Sequence, residues 1–297
     1  MKKFLDALIT TILRSIAAIA NLLNPKARQS LGKLIGRILK QLSSRRYNIT
    51  KDNIKKALQV DDSRADAIAL GAYRNLGITL VELTVLDKLS LEELHNYVKY
   101  ENIELIHEAY NEGNGVILLS GHYGNWEYLA YTAGLFTQLP LTVVVKPQSN
   151  KFADKYLNRT RTSGGNKTVS MYNAARTIVK ELNQGNIIAL LTDQSASRNN
   201  DVTTEFFARK VPTYAAPSAL SIKFNAPIIV GFANRMSDGS YYVKLSRIDP
   251  YEYQNDSDGV EKLTQYHVDI LENEIRKHPE LWAWQHRRWK HSPENND

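Results

Sequence analysis

His122 and Glu127 stand five residues apart in Gly121-His122-Tyr123-Gly124-Asn125-Trp126-Glu127, directly after the apolar run Val116-Ile117-Leu118-Leu119. An imidazole and a nearby carboxylate are the parts of a general base and the group that orients it, so the run points to proton abstraction from a hydroxyl. Val116 to Leu119 is short, apolar and bounded by Gly115 and Ser120-Gly121, which predicts a buried strand that stops abruptly. From Trp126 to Leu135 the apolar residues recover helical spacing, making Asn125 the N-cap and placing Glu127 in the first turn. Five helical steps rotate about 140° past a full turn, so the two side chains meet only if His122 precedes the helix. The flanking glycines permit such a turn, and the helix dipole favours a first-turn carboxylate that holds one ring nitrogen while the other takes the proton. The competing reading is a structural histidine after a strand.

Other chemistries find little support. Cysteine is absent, which removes a thiolate nucleophile, a Cys-ligated zinc and any disulfide without saying anything about compartment. There is no Gly-x-Ser-x-Gly elbow and no His-Glu-x-x-His, and the other six histidines are scattered, so no metal site is expected.

Further blocks follow in order: Lys146-Pro147-Gln148-Ser149-Asn150, Arg161-Thr162-Ser163-Gly164, Leu191-Thr192-Asp193-Gln194, Glu205-Phe206-Phe207, and His278-Pro279-Glu280-Leu281-Trp282 with Trp284 and His286-Arg287-Arg288-Trp289-Lys290. Together with His122-x4-Glu127, this set resembles the bacterial lipid A biosynthesis (late) acyltransferases, the lauroyl/myristoyl transferases of the lysophospholipid acyltransferase superfamily, over nearly the whole chain. The resemblance implies a membrane-associated O-acyltransferase that moves a fatty acyl chain from acyl carrier protein or coenzyme A to a hydroxyl of a lipid A precursor. His122 would be the general base and Glu127 its orienting carboxylate, with no cofactor beyond the thioester substrate. Lys146 and Arg161, with Arg159, would contact phosphate; Asn125 or nearby amides would face the oxyanion. Gly164, Asp193 and Gln194 complete the implied substrate-binding set, although Asp193 also suits a turn cap. Two positions depart from the family pattern: Lys146 replaces Arg, losing bidentate geometry, and Ala208 replaces Gly. The Trp- and Arg-rich tail reads as a structural clasp, with headgroup binding as its alternative. Competing functions are acylation of another envelope lipid (a phosphoglycolipid, glycine lipid or aryl polyene lipid) or a non-catalytic peripheral lipid-binding protein.

The elements that must carry these residues alternate. Strands are predicted at Leu141–Val145, Ile187–Leu191, Pro227–Phe232 and Tyr241–Leu245, and helices from Asn150, at Asn173–Leu182, Ala215–Phe224 and Val260–Lys277. The pattern gives an α/β fold: a mixed central sheet flanked by helices, glycerolphosphate acyltransferase-like by the resemblance, with active groups at strand ends. Residues 1 to about 85 are predominantly helical, and Ser292–Asp297 is a polar tail expected to fray.

The 297 residues carry a net charge of +7 and a mean hydropathy of −0.39, which excludes a polytopic membrane protein. Residues 1 to 50 hold ten Lys/Arg against Asp6 alone, so the basicity is N-terminal. Phe4 to Leu23 is apolar but contains Asp6 and Arg14, and a charge at a helix centre costs roughly 2.5 to 3.5 kcal/mol on insertion, so the segment reads as lying in the bilayer surface, with a single anchor as the alternative. Leu31, Leu34, Ile35, Ile38, Leu39 and Leu42 repeat at helical spacing among Lys33, Arg37 and Lys40, an amphipathic basic helix that suits either a membrane or the protein's own core. Residues 1–45 are thus assigned to N-terminal membrane-associating helices and 46–297 to the α/β acyltransferase domain, and the resemblance implies the cytoplasmic face of the inner membrane. Expected partners are acyl carrier protein, the phospholipid surface and the lipid A precursor; the charge comes with no nucleic-acid motif.

Overall fold

The computed structural model describes residues 2–196 and 201–292; all of the expected fraying tail except Ser292 lies outside them. Four helices open the chain: α1 (Lys2–Asn21), α2 (Pro25–Leu42), α3 (Ser44–Leu58) and α4 (Asp62–Leu83). The α/β part follows as α5 (Leu91–Tyr97), β1 (Val98–Glu101), α6 (Glu104–Asn111), β2 (Val116–Ser120), α7 (Trp126–Thr137), β3 (Leu141–Val145), α8 (Lys151–Thr162), β4 (Lys167–Ser170), α9 (Ala174–Asn183) and β5 (Ile187–Leu191). The hairpin β6 (Val202–Glu205) and β7 (Lys210–Thr213) leads to α10 (Ala216–Phe224), β8 (Ile228–Arg235), β9 (Tyr241–Ile248) and α11 (Ser257–Lys277).

The seven-stranded sheet has the order β1-β9-β8-β2-β5-β3-β4, with β8 to β4 mutually parallel and β9 antiparallel to β8. The sheet is therefore mixed, as expected. Helices cover both faces, which explains why β2 reads as an unbroken apolar run: Ile117 and Leu119 join one core and Val116 and Leu118 the other. The edge strands β1 and β4 were not predicted, because Val-Lys-Tyr-Glu and Lys-Thr-Val-Ser carry no apolar run.

The β6–β7 turn accounts for one departure from the family pattern. Phe207 and Ala208 both take the left-handed region, at φ 56° and 55°, while the Phe206 N–H donates to the Arg209 carbonyl at 2.9 Å. Position 208 thus needs the conformation that glycine adopts without strain. Ala208→Gly is expected to stabilise the fold by about 1 kcal/mol, read as a higher denaturant midpoint at unchanged slope.

Packing divides the helical N-terminus between the protein and its surroundings. The α2 backbone lies directly on α4: a Cβ on Gly36 would stand 2.2 Å from the Tyr73 carbonyl oxygen, and one on Gly77 2.2 Å from that of Gly32. Leu31 and Ile35 pack inward with Ala20, Val81 and Val85, whereas Leu34, Ile38 and Leu42 stay exposed. The apolar stripe expected to serve either core or membrane is split, because α2 approaches α4 at Gly32 and Gly36 and only the large residues beside them, Leu31 and Ile35, turn inward. In α1, Asn150 Nδ2 donates to the Asp6 backbone carbonyl at 3.0 Å and to its carboxylate Oδ1 at 3.3 Å, and the Arg14 guanidinium sits 4.6 Å from the Phe152 ring centre. The two charges that argued against a clean span thus rest on the domain, while Phe4, Leu8, Ile12 and Leu22 face outward. No helix among the described residues is long and apolar enough to cross a membrane.

Candidate active site

β2 and β5 are parallel neighbours in register, Ser120 opposite Leu191, so the residues just beyond their ends emerge together at the carboxyl edge of the sheet. His122 leaves one end and Asp193 the other. The turn bearing His122 is clamped from three sides. The Gly124 N–H donates to the Leu281 carbonyl at 2.9 Å, the Gly124 carbonyl accepts from Asn75 Nδ2 and Thr79 Oγ1 of α4, each at 3.1 Å, and the His122 carbonyl accepts from the Ala283 N–H at 3.0 Å. Gly124 is required here: its φ is 56°, and a Cβ would lie 1.7 Å from the Ala233 carbonyl oxygen.

The carboxylate that holds the imidazole is Asp193, not Glu127. Nδ1 of His122 lies 2.7 Å from Asp193 Oδ1, and the His122 backbone N–H donates to Oδ2 at 2.8 Å. The Trp282 indole N–H donates to the same Oδ2 at 2.8 Å. Burial works against the Asp193 charge, but the imidazole charge of His122 and these three hydrogen bonds hold its pKa at about 2. Burial likewise disfavours charge on the imidazole; the Asp193 charge and hydrogen bond, with a lesser contribution from Glu127, outweigh it and raise the His122 pKa. With an ionised acceptor at Nδ1, the neutral ring carries its proton there and presents Nε2 as the basic nitrogen. Gln194 Nε2 sits 3.2 Å from that atom and 3.4 Å from Nδ1, against the ring and not on one nitrogen.

Glu127 takes a different partner. Arg161, in the last turn of α8, donates to it twice, from Nε at 2.9 Å and from Nη2 at 2.6 Å, and the Trp126 indole N–H adds a bond at 3.2 Å. A guanidinium fork matches a carboxylate better than one imidazole nitrogen does, and Asp193 already fills the Nδ1 side. Glu127 therefore acts on His122 through its charge. Arg161, expected at a phosphate, is instead engaged in this largely buried pair, which raises its pKa against the pull of burial.

The remaining expected residues separate. Asn125 is the N-cap of α7, accepting from the Tyr128 N–H at 3.1 Å, but it is fully buried and its amide donates to Glu82 at 2.9 Å. It has no path to an oxyanion. Gly164 packs on the Tyr131 ring, where a Cβ would approach to 2.9 Å, so its smallness serves packing. Lys146 is exposed at the rim of a cavity of about 150 Å³ that His122, Glu127 and Arg161 also line. The rest of its wall is largely apolar, with Leu118, Leu129, Ala130, Val143 and Ala189. The tail block is buried throughout at Trp282, Trp284, Arg288 and Trp289, in keeping with the clasp, and through Trp282 the clasp also reaches the site.

Two features escaped the sequence reading: Asp193 as the imidazole's partner, and the Trp282 bond behind it. The first had a signal, an acid two residues past a strand end just as His122 is. The second had none, since 89 residues separate Trp282 from Asp193.

A sequence profile of the bacterial lipid A biosynthesis acyltransferase family matches residues 2–291. The chain is 25% identical over 265 residues to the lipid A biosynthesis palmitoleoyltransferase of Escherichia coli K12, covering 89% of this chain and 85% of that protein. It is 25% identical over 261 residues to a lipid A biosynthesis acyltransferase of Haemophilus influenzae, covering 86% and 80%, and 21% identical over 266 residues to the E. coli K12 lipid A biosynthesis lauroyltransferase, covering 89% and 85%. With its site at the carboxyl edge of an α/β sheet and a profile match along nearly its full length, the chain belongs to the bacterial lipid A biosynthesis acyltransferase family and is an acyltransferase.

Proposed function

We propose that this protein transfers a fatty acyl chain from a carrier thioester, acyl carrier protein or coenzyme A, to a hydroxyl of a lipid A precursor, with His122 as general base. The observation that carries the reading is the His122–Asp193 pair at the edge of a cavity with apolar walls. Nε2 takes the proton of the acceptor hydroxyl as its oxygen bonds to the thioester carbonyl carbon, and the carbonyl electron pair moves to oxygen. Asp193 keeps Nδ1 protonated and stabilises the imidazolium. When the oxyanion collapses, the carbon–sulfur bond breaks and the leaving thiolate takes the proton from Nε2. The Gln194 amide, whose nitrogen lies against the imidazole at 3.2 Å from Nε2 and 3.4 Å from Nδ1, leaves the Nε2 lone pair open to the hydroxyl and serves as a donor to the oxyanion. The apolar walls suit the acyl chain, and the Glu127–Arg161 pair fixes the rim against which it enters.

The outward-facing apolar residues of α1 and α2, flanked by Lys33, Arg37 and Lys40, support association with the inner membrane at its cytoplasmic face. Incubation of the purified protein with acylated carrier protein and a lipid A precursor is expected to add the mass of one acyl group to the precursor. Mass spectrometry that instead finds the acyl group on another envelope lipid, or on none, would overturn the acceptor assignment.

A further inference from the structure

A second cavity, of about 460 Å³, shares no lining residue with the apolar one. Arg45, Asn48, Ile49, Asp52 and Lys56 recur at helical spacing and make α3 one wall, Arg287, Trp289 and Lys290 of the tail form another, and Arg209 enters from the β6–β7 turn. Asp52 is the lone acid of this lining, and Lys56 pairs with it at 3.0 Å. Arg45, Arg287 and Lys290 are exposed and make no ion pair among the described residues, whereas Arg161, Arg235 and Arg247 all pair with carboxylates. The positive end of α3 adds to this field, because Ser43 makes no side-chain capping bond and the first turn holds no acid.

The walls are built, not loosely apposed. Asn53 Nδ2 donates to the Trp284 carbonyl at 3.2 Å and the His286 carbonyl at 3.1 Å, and Arg46 donates to the Gln285 carbonyl at 3.0 Å. Trp289 is buried and stacked on Trp284 and Phe206. Leu42, 78% exposed, lies three residues before Arg45, so the cavity adjoins the apolar side that α2 leaves uncovered. That adjacency favours an anion presented by a lipid over one arriving free in solution.

We propose that this cavity is a binding subsite for the phosphate of a phosphorylated lipid headgroup. It extends the lipid acceptor proposed above, and it is tested by binding so that the two stand or fall separately. The probes are phosphatidylcholine vesicles with and without phosphatidic acid, inorganic phosphate as a competitor, and acyl carrier protein. The full-length protein is expected to bind the phosphatidic acid vesicles more tightly than the neutral ones. The double substitution Arg287→Glu, Lys290→Glu should reduce that excess by roughly tenfold or more, by the usual contribution of each cation near an anionic surface. The milder Arg287→Gln, Lys290→Gln pair, checked for an unchanged circular dichroism spectrum, should reduce it in part. Equal vesicle binding by wild type and both double variants would overturn the subsite. So would competition by inorganic phosphate as strong in solution as on vesicles, or loss of carrier-protein binding with vesicle binding intact. Loss of vesicle binding in a protein that acylates no lipid A precursor would leave the subsite standing and remove the acceptor.

Discussion

Replacing His122 by Ala is expected to lower acyl transfer by roughly 10²- to 10⁴-fold, the range that a positioned general base contributes. The fold should survive. The side chain is 23% exposed and its ring is not a member of either core, while the backbone N–H that binds Asp193 Oδ2 remains in the alanine variant. Trp282 also continues to donate to that oxygen. The check is turnover alongside a denaturation curve: transfer retained in a folded variant would remove His122 from the mechanism.

Asp193→Asn is expected to cost as much, roughly 10³- to 10⁴-fold, for a reason of hydrogen-bond polarity. Oδ2 receives two donors, the His122 N–H and the Trp282 indole N–H, so the amide oxygen of asparagine settles there. Its NH₂ then faces Nδ1 and donates to it, which forces the ring proton onto Nε2 and removes the base. Loss of the Asp193 charge also lowers the imidazole pKa, since that charge is what lifts it against burial. A base must be neutral to work, so wild-type kcat/KM falls as pH drops through the raised His122 pKa, and this acid limb should move to lower pH in the variant while the plateau collapses. A variant with a normal plateau would show that Asp193 is only a structural anchor for Trp282.

The strand before His122, the helix after Asn125 and the N-cap between them follow from apolar runs and one side-chain oxygen, and the structure has all three at those residues. Glu127 lies in the first turn of α7, as its position after the N-cap requires, yet its partner Arg161 is 34 residues away. Asn125 shows the same boundary: its capping bond is local, but Glu82 and Tyr241 from α4 and β9 determine that it is buried and closed to substrate.

The sequence by itself determined the class of element at most positions, the chemical parts of the site and the N-terminal concentration of positive charge, because propensity, capping and periodicity act over a few residues. Only the tertiary structure decided which carboxylate holds the imidazole. Parallel pairing of β2 with β5 brings Asp193 to Nδ1, and the helix α7 carries Glu127 toward Arg161 instead. The same holds for α2, whose apolar pattern is local but whose buried face was chosen by how closely Gly32 and Gly36 let it approach α4. Register, helix contact and long-range hydrogen bonding are properties of pairs of segments, and a pattern within one segment does not contain them.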